Sequence, residues 1–135
     1  MNTLSPDQLA EALRAGAEGS LLEEAAITLI ITHGSWLPRT DFVTAAVTIS
    51  PASDDTAANR EPYLAFIDWA AALAADLPAS ASKHQILALA AELAGTDSGL
   101  PLGHLMIGLD RANTARVVWA ISSISPSGPL RAWHP

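Results

Sequence analysis

The chain has no cysteine, which removes disulfide frameworks and thiolate metal sites from consideration. Aromatic residues make up only 5% of it, and lysine occurs once. No apolar run approaches the roughly 20 residues needed to cross a bilayer. The longest, "AAITLIIT" from Ala25 to Thr32, falls far short. "MNTLSPDQLAEALRAG" lacks the basic start and apolar stretch of a secretory leader, so the chain is expected to be cytoplasmic. Glycines are scattered singly, with no loop of the kind that cradles phosphate.

What the chain does contain is alanine, leucine and isoleucine, within 135 residues of which half are apolar. That length suits one domain with one core. Alanine has the best helix propensity and lets helix axes approach closely, whereas strands favour β-branched and aromatic side chains. The net charge of −7 repels polyanions, so nucleic acid and anionic membranes are disfavoured partners.

Helix boundaries are well marked. Ser5, Pro6 and Gln8 form the start of one helix, which Gly16 is expected to stop. Ser20 and Glu23 open a second, ending at Gly34, with Leu22, Ala26, Leu29 and Ile30 as its inner stripe and Ile27 and Ile31 broadening it. "FVTAAVTI" fits a helix face through Phe42, Ala45, Ala46 and Ile49, capped by Thr40 or Asp41. Its alternation of Val43, Ala45, Val47 and Ile49 equally fits a strand. Helix is preferred because no partner strand stands out. Pro51 to Pro62 is a polar loop, and "YLAFIDWAAALAADLP" carries a helix beginning at Asp68 or at Pro62. Ser82 and Gln85 suggest a further capping box before a helix that ends at Gly95, with Ile86, Leu89, Ala90 and Leu93 inside. "LGHLMIGL" is a short helix, and Asp110 caps a last one striped by Val117, Val118, Ile121 and Ile124. The expectation is an all-α, compact single-domain bundle of six or seven short helices over residues 1–125, with a short strand at 43–49 as the alternative. A proline-rich tail, 126–135, follows and is expected to be loosely held.

"ITHGSWLPRTDF", residues 31–42, gathers His33, Ser35 and Asp41, the residue types of a nucleophile, its base and an orienting acid. A serine nucleophile needs a strained elbow flanked by glycines, and "HGSWL" has a single glycine with no strand leading into it. A helix corner explains each residue separately. His33 sits at the terminal dipole, Gly34 takes the left-handed position, Trp36 and Leu37 cover the turn, and Pro38 blocks continuation. His33, His84, His104 and His134 are too far apart in sequence to form a local metal pair. Asp54, Asp55 and Glu61 lack the spacing of a calcium loop, and Asp68 and Asp76 look like helix entry and exit residues. No cofactor, metal or catalytic residue is assigned.

Residues 101–121 have the outline of a helix-turn-helix, with Arg111, Asn113, Thr114 and Arg116 at the start of its second helix. The acidic balance and the absence of further basic clustering weigh against it, leaving a corner capped by Asp110. Trp119 lies one position off its helix's apolar stripe, and Trp133 lies in the tail. Both suit partner-binding anchors. The leading expectation is therefore a helical protein acting by contact with another protein, or with itself as a homodimer, without catalysis. A DNA-associated regulator using Arg111, Asn113 and Arg116 is the first alternative, and an enzyme with a dispersed site the second.

Overall fold

The computed structural model describes residues 4–51, 62–99, 101–107 and 109–122. Within these, the chain is mostly helical with a small two-stranded antiparallel sheet. In chain order the elements are α1 (Pro6–Ala17), α2 (Leu21–His33), α3 (Thr40–Ala46), β1 (Val47–Pro51), β2 (Tyr63–Ile67), α4 (Trp69–Ala74), α5 (Ala81–Leu93), α6 (Leu102–Met106) and α7 (Arg111–Ser122). Asp54, Asp55, Glu61, Ile124 and the tail from 126 to 135 lie outside the described residues.

The first helix starts as expected. The Ser5 hydroxyl accepts the Gln8 backbone N–H at 3.1 Å, and the Gln8 side chain accepts the Ser5 N–H at 2.9 Å. Gly16 does not stop it. The helix continues to Ala17, and the chain turns at Gly19, whose φ is +96°. Gly16 instead faces β2, where a β-carbon would run into the Ala65 carbonyl oxygen. The small residue is there to let a helix lie directly against a strand.

The segment at 43–49 is neither all helix nor all strand. α3 runs to Ala46, and Val47 then begins β1. Its partner is Tyr63–Ile67, paired antiparallel from Val47↔Ile67 to Pro51↔Tyr63. The all-α expectation is corrected at this point. "YLAFI" runs straight into the α4 sequence and so resembles the start of that helix. Asp68 separates the two, because its carboxylate accepts the Ala71 N–H at 3.0 Å and caps α4. Its own N–H meets the Ala46 carbonyl at 2.8 Å, which ties the start of α4 to the end of α3. A two-stranded ribbon is marginal alone, and here α1 packs along β2.

α2 is the central helix, packed by α1, α5 and α7. Ala25, Ala26, Ile27, Leu29 and Ile30 are buried, whereas Leu22, expected inside, is half exposed at the solvent end. α5 is buried continuously from Ile86 to Ala91, broader than a one-sided stripe. It starts one turn-fraction earlier than the Ser82–Gln85 pattern suggests. Ser80 is the cap, accepting the Lys83 N–H at 3.3 Å, and Gln85 reaches instead to the Ile107 carbonyl at 2.7 Å. α3 has Arg39 at its N-cap position with no side-chain cap, in place of Thr40 or Asp41.

Candidate functional site

The stretch that first suggests chemistry is a corner. Gly34 ends α2 in the left-handed region at φ +79°, with its N–H on the Ile30 carbonyl at 3.1 Å. Trp36 is fully buried, donates its indole N–H to the Lys83 carbonyl at 3.2 Å, and tilts against Phe42 with centroids 5.3 Å apart. Arg39 lies over the Trp36 ring at 5.0 Å and grips Asp41 through two hydrogen bonds of 2.9 and 2.6 Å. The hydrogen bond from Arg39 is the chief reason the Asp41 carboxyl sits below its ordinary pKa. That carboxylate also accepts the Phe42 N–H at 2.8 Å, so it is committed to the corner and not to His33.

His33 has a different set of neighbours. Its Nδ1 is buried without a hydrogen-bond partner among the described residues. Burial lowers its pKa below the ordinary 6.5, Arg116 and Lys83 lower it further, and Asp110 works in the opposite direction. Burial and the two cations both favour the neutral ring at the end of α2. His84 is half buried. Its Nε2 donates to the Leu77 carbonyl at 2.6 Å, and its ring stands 5.9 Å from Trp36. His134 lies outside the described residues, and no metal-sized group of histidines and carboxylates occurs among those described.

The helix-turn-helix outline maps onto α6 and α7. Asp110 caps α7 by accepting the Asn113 N–H at 2.7 Å. Asn113 is buried, with 5% of its surface exposed, and its side-chain oxygen accepts from Arg116 at 2.7 Å. Of the three residues of the DNA-binding alternative, Arg111 alone is exposed. Asn113 and Arg116 bind each other against the core.

That inward turn of Asn113 resets the whole helix. α7 buries Asn113, Val117 and Ala120 toward the core, and leaves Val118, Trp119 and Ile121 at 38%, 54% and 45% exposure. The expected stripe of Val117, Val118 and Ile121 is thus split, with Val117 inside and the other two outside. Trp119 itself lines an open groove of about 550 Å³, together with Leu109, Arg111, Thr114, Ala115 and Val118. Trp133 lies outside the described residues. The signal for this face was present in Trp119 itself, a large ring standing beside an apolar stripe.

No helix among the described residues is long and apolar enough to cross a membrane. No protein-family model, curated protein or solved structure matches the chain.

Proposed function

We propose that this protein works by binding another protein chain, without chemistry of its own, and that the chain it binds through α7 is a second copy of itself. The observation that carries this reading is Trp119, more than half exposed and forming one wall of a largely apolar groove along α7. Two-fold symmetry brings the same patch of each subunit to the interface, so a ring and a groove side by side are self-complementary. Each Trp119 then fills the groove of the other copy, as buried tryptophan anchors do at interfaces.

Charge supports the choice of occupant. The chain carries −7 overall, which disfavours self-association at most surfaces. From Arg111 to Ser122, however, α7 holds two arginines and no acidic residue. An antiparallel pair sets Arg111 of each copy beside the C-terminal end of the other helix, where a cation is favourable. A helix of this length spans about 18 Å. Such a pair buries less than the roughly 1,600 Å² of a standard interface, so a reversible dimer of about micromolar affinity is expected.

Sedimentation velocity over a range of concentrations tests the reading. The wild-type protein is expected to shift from monomer to dimer, and Trp119→Ser to remain monomeric with unchanged thermal stability. A wild-type protein that stays monomeric at the highest concentration rules out the second copy as the occupant.

A further inference from the structure

A second concavity, unrelated to the α7 face, lies between α4, the link to α5, α5 and α6. It has a volume of about 490 Å³, within the range of small-molecule sites. Leu73, Leu77 and the fully buried Leu105 give it an apolar lining, and Asp76, His84 and His104 bring polar groups to the same space. His84 also anchors the wall, since its Nε2–H bond to the Leu77 carbonyl holds the α4–α5 link against α5. Among the described residues no lysine or arginine lines the cleft, so the Asp76 carboxylate is the one full charge there.

Asp76 occupies a backbone position that glycine takes more often. Its φ is +52°, in the left-handed region. The other described residues with positive φ are all glycines, at 19, 34, 95 and 99. Asp76 also follows the C-terminal end of α4, where a negative charge opposes the helix dipole. Glycine would suit this position on both counts. Nor does the carboxylate cap or pair with any described residue. Asp76 is exposed, and its carboxylate stands at the edge of a cleft of mixed apolar and polar lining as the one full charge among the described lining residues.

We propose that this cleft binds a small organic cation, a primary amine carried on an apolar body. The ammonium pairs with Asp76, and the body lies on Leu73, Leu77 and Leu105. An anionic ligand would meet Asp76 with no compensating lysine or arginine among the described lining residues. A neutral one would gain no charge-assisted contact with Asp76.

The test is an NMR titration at neutral pH that follows the imidazole C–H signals of His84 and His104. Three probes of similar size are compared: 2-phenylethylamine, 2-phenylethanol and 3-phenylpropionate. The amine is expected to saturate the shifts about tenfold more tightly than the alcohol, and the acid to bind more weakly than either, as a charge-assisted contact implies. Asp76→Asn keeps a residue tolerant of positive φ and is expected to reduce the amine to the level of the alcohol. Ala81→Trp, at an exposed position on the rim, is expected to abolish both. Asp76→Gly is expected to raise the unfolding midpoint while losing the amine preference. The proposal is overturned if the amine fails to saturate these signals by about 10 mM, if the acid binds as tightly as the amine, or if Asp76→Asn binds the amine unchanged. It is also overturned if Asp76→Gly lowers the unfolding midpoint, because the carboxylate would then be serving the fold.

Discussion

Gly16 of α1 lies so close to the backbone of Ala65 in β2 that there is no room between them for a methyl group. In an ordinary exposed helix, Gly→Ala stabilises by about 1 kcal/mol. Here the obstacle is a carbonyl oxygen on the backbone of a strand, which cannot swing aside as a side chain can. Gly16→Ala is therefore expected to destabilise by about 1–3 kcal/mol, the usual cost of overpacking. Urea unfolding measures it. A more stable Gly16→Ala protein would mean that α1 does not rest on the ribbon.

The corner after α2 makes its own set of expectations. Gly34→Val places a β-branched residue at φ +79° and is expected to destabilise the fold. Trp36→Ala empties a fully buried site and leaves the Lys83 carbonyl without its indole donor, at an expected cost of about 3–5 kcal/mol. Ser35→Ala should be nearly silent in thermal unfolding and in self-association. A stable Ser35→Ala protein that has lost its function would instead make the serine part of a site.

His33 predicts how stability responds to acid. Its folded pKa is depressed by burial and by Arg116 and Lys83, so the folded state prefers the neutral ring. As pH falls through about 6.5, the unfolded chain takes up a proton that the folded one resists, and stability declines. The contribution is complete above that pH and is lost as pH falls toward the lower folded value. Between about pH 7 and pH 5, where most carboxylates remain ionised, the unfolding midpoint should fall further for the wild type than for His33→Gln. Parallel curves for the two proteins would remove His33 from the account.

The features legible in the sequence are those settled within a few residues. Ser5 with Gln8, Ser20, Gly34, Asp68 and Asp110 each mark a helix end through a contact to a near neighbour. The β1–β2 pairing is different in kind. Thr48 and Phe66 meet across a long connection, and "YLAFI" alone reads as readily into a helix as into a strand. Gly16 looks like a stop signal until Ala65 is known to lie above it. On α7, hydrophobicity favours burying Val118 and Ile121, but α2 packs against the side carrying Asn113, Val117 and Ala120. Asn113 can go inside because Arg116 satisfies its side-chain oxygen. Of the candidate partner anchors, Trp119 was visible as a ring off its stripe. Asp76, His84 and His104 share no spacing pattern and converge only through the packing of α4, α5 and α6.

The central claim is that α7 of one copy meets α7 of another, and the absence of cysteine permits a direct test. Ala115→Cys puts a single thiol in the groove beside Trp119, and Glu11→Cys puts one on the exposed side of α1. A disulfide between copies needs α-carbons within about 7 Å, so it reports close approach of that residue to its own symmetry mate. Under mild oxidation, Ala115→Cys is expected to become a covalent dimer rapidly, and adding Trp119→Ser is expected to slow it to the rate of Glu11→Cys. Equal, slow cross-linking at both positions would contradict the account.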